Sequence, residues 1–408
     1  MKQPTFFDSQ RTTLEDSIEM TAQSLAAYGE RYDHWAFAYS GGKDSTACLT
    51  VAMHLLKTGR IPRPKRITVC YADTRMELPP LAASAYRMLG ILRDEGIETR
   101  VAVAPMDKRF FVYMLGRGVP PPNNRTLRWC TRQIKVDPMV DQLKELVGGL
   151  GGKVLMITGV RQGESAIRDQ RIALSCSKDG SECGQGWYQE TLPESLCDTL
   201  APILHWRTCL VWDWLMGLLS PEWRHGYPTE MVGRAYGFDL EGSAAEVNAR
   251  TGCVGCPLAN QDSAIDNLLS MGEPEWEYLR PLTRLRPLYR WLREPAQRLR
   301  KPGGERRQDG TLSRNQNRMG PLTLDARREA LRQILAIQQE CNDLCGPGVA
   351  PVDILNAEEV ARINELIAAG TYPNKWDGDE PTGDMPFLEW MPDGSIQRNL
   401  YDQFGEGI

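Results

Sequence analysis

The sequence predicts an α/β protein built on a doubly wound parallel sheet. Apolar runs at residues 36–39, 66–72 and 99–104 predict three strands, and segments with helical periodicity separate them. Strands separated by helices of this length pair in parallel, because the chain must cross back over the sheet each time. In such sheets ligands bind beyond the carboxyl ends of the strands, so that edge is where a functional site is expected.

A glycine turn joins the first strand to the next helix. It consists of Ser40, Gly41, Gly42, Lys43, Asp44 and Ser45. Such a turn leaves backbone N–H groups exposed at the positive end of the helix dipole, and the glycines let a ligand approach them. Lys43 adds a positive charge and the serines add hydroxyl donors, so the turn fits a phosphate chain better than the alternative, an ordinary capped turn. The turn does not match the Walker pattern G-x-x-x-x-G-K-[ST].

This turn resembles the loop of the PP-loop ATP pyrophosphatases, which cleave ATP between the α and β phosphates and activate an oxygen as its adenylate. The resemblance implies an adenine nucleotide alpha hydrolase-like fold, with ATP on residues 40–45 and Mg²⁺ bridging its phosphates. Lys43, Asp44 and Ser45 are the catalytic residues that it implies in the loop.

Polar residues also follow two other predicted strands. Asp73 and Thr74 come after the strand at 66–72, and Gly159 and Arg161 come at the end of the apolar segment 153–161. Because parallel strands end at one edge, these residues should lie beside the loop. We expect Asp73 and Glu77 to position ribose, magnesium or substrate, with a helix cap and a surface charge as the alternatives, and we expect Thr74 to contact the nucleotide. We expect Gly159 and Arg161 to contact the adenylate and the phosphates.

A basic segment lies between these strands, at residues 117–135. It carries five basic residues and no acid, and an aromatic residue stands beside Cys130. That composition suits a polyanion held near a reactive or ligating sulfur, whereas a solvated surface loop is the alternative. The predicted contacts to a polyanion are Arg125, Arg128, Arg132 and Lys135.

Two further motifs narrow the resemblance. The sequences RWCTRQIK at 128–135 and TGVRQGES at 158–165, together with the loop, resemble the phosphoadenylylsulfate reductase branch. Within that branch the chain is most similar to the ATP-pyrophosphatase components of DNA phosphorothioation systems of the Dnd and Ssp types. The resemblance covers roughly residues 30–260.

The chain contains eleven cysteines. It has no apolar run long enough to span a membrane and no signal-peptide core, so we expect a cytoplasmic protein with no membrane contact. In that compartment the cysteines should include metal or redox ligands rather than form disulfides. Cys253 and Cys256 form a Cys-x-x-Cys pair, which suits zinc, an iron–sulfur cluster or a redox dithiol. Cys48, Cys70 and Cys209 are expected in the core.

The family resemblance implies a [4Fe–4S] cluster, with zinc as the alternative. Cys130, Cys253 and Cys256 match three of its ligand positions, and Cys130 is also expected to be catalytic. For the fourth ligand the sequence favours Cys183, because its glycine neighbours permit close approach, over the alternatives Cys176 and Cys197.

The division of the chain follows from these features. Residues 1–262 are expected to form the PP-loop domain, with a cysteine-bearing insertion at 172–260, and 263–408 a basic, mainly helical extension with an extended tail. Helices are predicted at 324–344 and 357–369. The arginine-rich stretch 280–307 could face phosphates or could be a solvated helix and loop.

The resemblance implies an ATP-dependent sulfurtransferase that adenylates the DNA backbone, so that sulfur replaces a non-bridging oxygen in bacterial defence. Its partners would be DNA, a cysteine desulfurase that supplies persulfide sulfur, and other phosphorothioation subunits. The net charge of −5 means that DNA contact must use local basic patches.

Three alternatives remain open. A phosphoadenylylsulfate or adenylylsulfate reductase shares these motifs but normally uses a C-terminal catalytic cysteine, and residues 404–408 contain none. A tRNA thiolase would apply the same activation to a base. A non-catalytic nucleotide-sensing module is the third alternative, and the presence of Lys43, Asp44 and the polar residues at the strand ends argues against it.

Overall fold

A computed structural model describes most of the chain. The described residues are 12–123, 127–149, 153–163, 197–217, 225–237, 252–259, 261–301, 311, 319–374, 376–384, 388–390 and 396–398.

A five-stranded parallel sheet forms the centre of the fold. Its strands are β1 (His34–Tyr39), β2 (Arg66–Asp73), β3 (Glu98–Val103), β4 (Val154–Thr158) and β5 (Cys197–Leu200). Their order across the sheet is β3-β2-β1-β4-β5, and every neighbouring pair is parallel. The predicted fold class is therefore confirmed, although the sequence analysis did not predict β5. The strand order reverses between β1 and β4, which opens a crevice at their carboxyl ends.

Helices cover both faces of the sheet. They are α1 (Leu14–Gly29), α2 (Lys43–Lys57), α3 (Pro79–Asp94), α4 (Asp137–Gly148), α5 (Thr208–Met216) and α6 (Glu230–Ala235). Because both faces are covered, β1 and β4 are almost continuous apolar runs rather than alternating ones. Among the described helices, none has both the length and the apolar character that a membrane span requires.

Short helical turns connect these elements. There are 3₁₀ turns at Met106–Lys108, Pro274–Arg284 and Pro295–Gln297, and π-helical turns at Val112–Gly116 and Arg132–Val136. The second π-helical turn runs directly into α4, and Cys130 is the first residue of this continuous helical segment.

The C-terminal part is mainly helical, as the sequence predicts. It contains α7 (Ser263–Ser270), α8 (Leu285–Trp291), α9 (Leu324–Leu344) and α10 (Ala357–Ala368), and the strands Leu388–Trp390 and Ile396–Arg398 form an antiparallel pair, β6 and β7. Thr323 caps α9, and Asn356 caps α10 with a full capping box. The predicted start of each helix is confirmed, and α10 ends one residue before its predicted end.

These C-terminal helices share a core with the sheet half of the molecule. One apolar cluster combines residues that follow β2 and β3 with residues of α7, α8, α9 and α10. Representative members are Met76, Phe111, Ile265, Leu288, Ile334 and Ile363. The residues beyond the carboxyl end of β2 are thus packed against the C-terminal part.

Arg327 on α9 is fully buried in this core. Its guanidinium donates to the carbonyl oxygens of Leu115, at 2.5 Å, and Thr371, at 2.8 Å, and also to that of Gly116. Burial lowers the pKa of Arg327 to about 10. The side chain therefore satisfies carbonyl groups at the end of the 112–116 turn, which the turn itself leaves without donors.

Arg327→Leu should destabilise the fold, because it leaves the carbonyls of Leu115, Gly116 and Thr371 buried and unpaired. Each such group costs about 1–3 kcal/mol, so the free energy of unfolding should fall by about 3 kcal/mol or more. Urea denaturation measures this decrease. Arg328→Leu, at an exposed position on the same helix, is the control and should change stability by less than about 0.5 kcal/mol. Equal stability of the two variants would contradict this role of Arg327.

Candidate active site

The glycine turn lies between the carboxyl end of β1 and the start of α2, as predicted. Gly41 has φ of +72°, a left-handed conformation that favours glycine. Gly42 is the N-cap of α2, with extended backbone and no side-chain hydrogen bond. The first turn of α2 therefore has no side-chain cap, and its N–H groups face the crevice where the strand order reverses.

The two serines close the turn. The Ser45 hydroxyl donates to the carbonyl oxygen of Gly42 at 3.0 Å and accepts from the backbone N–H of Ser40 at 3.2 Å. The hydroxyl oxygens of Ser40 and Ser45 are 3.0 Å apart. Ser40 is exposed, so one hydroxyl of this pair faces solvent at the mouth of the turn.

Asp44 is held between two cations. The Arg161 guanidinium donates to one carboxylate oxygen at 2.6 Å, and the Lys43 ammonium lies 3.4 Å from the other. Arg161 is only 3% exposed and also donates to the carbonyl oxygen of Trp206 at 3.0 Å. Arg161 thus lies beside the loop, as predicted, and its guanidinium positions the Asp44 carboxylate. Its contact with the adenylate and the phosphates stays a prediction.

Gly159 lies directly against the loop backbone. A Cβ at this position would come within 2.5 Å of the Asp44 carbonyl oxygen and 2.7 Å of the Ser45 Cα. Backbone atoms cannot move away cheaply, so the close approach of the β4 end to α2 requires glycine here. This packing explains Gly159 without a ligand, and its contact with adenylate stays a prediction.

Tyr236 supports Lys43 and was not singled out by sequence reasoning. The Lys43 ammonium lies 4.8 Å from the centroid of the Tyr236 ring, and Tyr236 is 5% exposed. A Cβ on Gly42 would lie 3.4 Å from the tyrosine hydroxyl. Tyr236 therefore orients the lysine through a cation–π contact. It belongs to no motif, and only the tertiary fold brings it to the loop.

Asp73 and Thr74 lie at the carboxyl end of β2, at the same edge of the sheet. Asp73 accepts hydrogen bonds from the backbone N–H of Arg75 at 2.7 Å and from the hydroxyl of Tyr86 at 2.6 Å. The Thr74 hydroxyl donates to Glu77 at 2.7 Å. Both residues are buried, so their side chains are fixed by protein contacts.

Glu77 has an unusual pKa. Burial raises the pKa of this carboxyl to about 7, the hydrogen bonds from Thr74 act in the opposite direction, and the nearby negative charge of Asp73 adds to the rise. A carboxyl group that titrates near neutral pH is a candidate for substrate binding or proton transfer. The sequence predicts that Glu77, like Asp73, positions ribose, magnesium or substrate, and that role stays a prediction.

The structure brings three predicted cysteines into electrostatic range of one another. Burial raises the pKa of Cys253 to about 12, and the nearby Glu77, Cys256 and Cys130 add to the rise. Burial also raises the pKa of Cys130, and Cys256 again contributes. The Cys-x-x-Cys loop is joined to the end of β2, because the Val254 N–H donates to the Met76 carbonyl oxygen at 2.6 Å.

The four-ligand metal site is not complete in the described part of the chain. No group of three or more His, Cys, Asp or Glu side chains there is arranged so that it could hold a metal ion. Cys183 and Cys176 lie outside the described residues, and Cys197 is 3% exposed in a core cluster with Leu143. The described residues by themselves do not fit a [4Fe–4S] cluster or zinc, so the metal centre stays a prediction and no reaction step is assigned to it.

Three other cysteines were expected in the core. Cys48 and Cys70 are buried, which confirms two of these predictions. Cys209 is exposed, so the third is wrong. It lies in the first turn of α5, whose inward face is taken by Leu210 and Trp214.

The predicted polyanion contacts lie on the surface near Cys130. Arg128, Arg132 and Lys135 are exposed, and Arg125 lies outside the described residues. The side chain of Arg132 is 84% exposed although it forms an ion pair with Asp137. These cations are therefore accessible to a large anionic ligand.

Part of the arginine-rich stretch after residue 280 instead contacts the protein itself. Arg286 donates to the carbonyl oxygen of Ala259, and Arg293 donates to that of Pro257 at 3.2 Å. These arginines of α8 and the residues after it hold the segment that follows Cys256. In the described part of this stretch, Arg286 and Arg293 therefore stabilise the cysteine loop instead of forming a surface for phosphate binding.

Glu77→Gln should change how stability depends on pH. The folded-state pKa of about 7 lies above the unfolded value of about 4.3, so the folded protein binds this proton more tightly. The stabilisation that this proton gives is present below about pH 4.3 and is lost as the pH rises to about 7. Glutamine can still accept from Thr74 but does not ionise, so the variant should gain stability relative to wild type across this interval.

Urea denaturation at several pH values between 4.5 and 8 measures this difference. Glu358→Gln, at an exposed carboxylate on α10, is the control. The difference in free energy of unfolding between wild type and Glu77→Gln should change with pH, whereas the difference for Glu358→Gln should not. If both differences are independent of pH, the raised pKa of Glu77 is contradicted.

Part of the chain is similar to a known protein family. Residues 34–218 match the family model described as the phosphoadenosine phosphosulfate reductase domain. No curated protein sequence matches the chain.

The solved structures that are similar to it include the following two. One is the Candida glabrata FMN adenylyltransferase in complex with FMN and the ATP analogue AMPCPP, at 13% identity and a TM-score of 0.33 over 52% of this chain. The chain spans 60% of the length of that structure. The other is the U34-tRNA thiolase from Methanococcus maripaludis with its [4Fe-4S] cluster, at 14% identity and a TM-score of 0.33 over 68% of this chain and 80% of the thiolase.

The region from β1 to the end of α5, which contains the glycine turn and Cys130, is therefore similar to the phosphoadenosine phosphosulfate reductase domain.

Proposed function

We propose that the protein is an ATP-dependent sulfurtransferase that adenylates a DNA backbone phosphate, so that sulfur can replace a non-bridging oxygen. The observation that carries the proposal is the loop at residues 40–45, with its buried lysine and fixed aspartate at the uncapped start of α2. The match of residues 34–218 to the reductase domain supports the nucleotide chemistry.

ATP would bind with its β and γ phosphates on the first turn of α2. The exposed N–H groups, the Lys43 ammonium and the Ser45 hydroxyl are suited to phosphate oxygens. Asp44, which Arg161 fixes, and the nearby Asp73 offer the carboxylate oxygens that Mg²⁺ prefers, and the ion would neutralise phosphate charge when bound.

The first chemical step is adenylation. A non-bridging oxygen of the DNA phosphate attacks the α-phosphorus of ATP, and the bond between that phosphorus and the oxygen bridging to the β phosphate breaks. Pyrophosphate leaves with the electron pair, and the DNA oxygen is now bonded to AMP. Lys43 and the α2 N–H groups would stabilise the charge that develops on the pyrophosphate.

The second step brings in sulfur. The terminal sulfur of a persulfide on one cysteine attacks the DNA phosphorus, and AMP departs with the original oxygen. A neighbouring thiolate then attacks the cysteine sulfur, which releases the DNA phosphorothioate and leaves a disulfide for an external thiol to reduce. Cys253 lies within electrostatic range of Cys130 and Cys256, and this proximity supports the pairing of thiols.

DNA is the proposed acceptor because exposed cations flank Cys130. Arg128, Arg132 and Lys135 could bind successive phosphates of the backbone, which would present one of them to the loop and the thiols. A cysteine desulfurase would supply the persulfide, and other phosphorothioation subunits would complete the assembly.

Lys43→Ala should lower ATP-dependent pyrophosphate release by about 100- to 1000-fold, because it removes a charge positioned for the leaving group. Release is measured with DNA, with tRNA and with neither. Lys57→Ala, at the exposed end of the same helix, is the matched control and should keep wild-type turnover. Wild-type turnover in Lys43→Ala would contradict the proposed site.

The double variant Arg128→Gln, Arg132→Gln should bind DNA less tightly and with a weaker salt dependence. Each DNA phosphate that the protein no longer neutralises lowers the log–log salt slope by about 0.9 for duplex DNA, so the slope of the double variant should fall by about two units. Arg328→Gln with Arg332→Gln, on the exposed face of α9, removes the same charge and should leave the slope unchanged. Equal slopes for the two double variants would exclude this surface as the DNA-binding surface.

A further inference from the structure

A cavity of about 450 Å³ lies beyond the carboxyl end of β2. One wall consists of Asp73, Glu77 and Tyr86, from the end of β2 and from α3. The opposite wall comes from the C-terminal part and includes Trp276 and Tyr278. The volume is in the range of ligand pockets, which run from about 300 to 1,000 Å³.

One end of the cavity is rich in hydrogen-bond acceptors. Asp73 and Glu77 are both fixed there, and an ionised carboxylate, the form that Glu77 takes above about pH 7, has about four acceptor sites, more than their protein partners use. This end therefore suits a ligand that brings N–H donors.

The C-terminal wall is held rigidly. Arg75, at the end of β2, donates to Asp353 at 2.9 Å and to the buried Glu359 at 3.1 Å. Its positive charge is thereby neutralised by these two carboxylates, so it does not neutralise the negative charge of Asp73 and Glu77. The remaining wall offers aromatic and apolar side chains, including Val352. A planar ligand could stack there.

The cavity lies between the glycine turn and the cysteine loop. Its lining includes Val254, which stands between Cys253 and Cys256. On the other side, α3 contributes Tyr86 to the cavity, while Ala85 of the same helix would be 3.3 Å from a Cβ at Gly41. An acceptor that reaches both the nucleotide and the thiols would therefore pass this cavity.

We propose that the cavity binds one base of the acceptor DNA, a base that carries an exocyclic amino group. The amino group donates to the carboxylates of Asp73 and Glu77, and the ring stacks against Trp276 or Tyr278. The base must leave the duplex stack or come from a single strand to enter. The identity of the acceptor rests on the proposed function, whereas the preference for an amino-bearing base rests on the cavity itself.

The test compares, at pH 8, single-stranded octamers of deoxycytidine and deoxyuridine, in which the amino donor at position 4 of cytosine is replaced by a carbonyl acceptor and N3 becomes an N–H group. Fluorescence anisotropy without ATP, at one fixed salt concentration, gives both dissociation constants. We expect the deoxycytidine octamer to bind at least about tenfold more tightly, because uracil places a carbonyl oxygen, itself an acceptor, against the carboxylates where cytosine places its amino donor.

Ala350→Trp probes the cavity directly. Ala350 lines it at an exposed position of the C-terminal wall, so a tryptophan there should fill the cavity without disturbing the core. The variant should weaken binding of the deoxycytidine octamer about tenfold, to the level of deoxyuridine. Ala369→Trp, at an exposed alanine at the end of α10, should keep the preference of the wild type.

Equal affinity of wild type for the two octamers would overturn the proposal, and so would an Ala350→Trp variant that retains the preference. If Ala350→Trp weakens ATP binding and leaves the octamers unaffected, the cavity holds the adenine of ATP and the proposal fails. Pyrophosphate release is measured separately. A protein that shows the base preference but releases no pyrophosphate would refute the proposed function and leave this site intact.

Discussion

The contact between the end of β4 and the first turn of α2 is the constraint on which the candidate site depends. Gly159 lets the two backbones meet, because a Cβ there would lie 2.5 Å from the Asp44 carbonyl oxygen. Two residues later, Arg161 holds the Asp44 carboxylate at 2.6 Å in a buried ion pair. Removing one partner of a buried pair leaves an uncompensated charge and typically costs about 3–5 kcal/mol. The geometry of the glycine turn is therefore fixed by residues at the end of the neighbouring strand, β4, across the crevice where the strand order reverses.

The C-terminal part fixes the other side of the site through Glu359. This carboxylate is 2% exposed and forms ion pairs with Arg75 at 3.1 Å and with Arg109 at 3.2 Å. It also completes the capping box of α10 with Asn356, so one side chain both starts the helix and holds the residues beyond β2. The cavity wall and the end of β2 are thus parts of one packed unit.

Local signals explain what the sequence could predict. The glycine turn follows an apolar strand, and α9 begins at a capping threonine and keeps one apolar face, so both were placed correctly. The features that were missed depend on contacts between distant segments. Tyr236 meets Lys43, and Glu359 meets Arg75, only after the chain has folded. No periodicity or motif marks such pairs, and the exposure of Cys209 likewise depends on which neighbours take the inward face of its helix.

The central claim is that the loop opens ATP between the α and β phosphates and passes AMP to DNA. The most direct measurement is the identity of the nucleotide products when purified protein is incubated with ATP, Mg²⁺, DNA and a persulfide donor. The account predicts AMP and pyrophosphate in equal amounts, formed only when DNA is present, together with sulfur in the DNA backbone. ADP and inorganic phosphate as the products would contradict it, because they require cleavage at the γ phosphate.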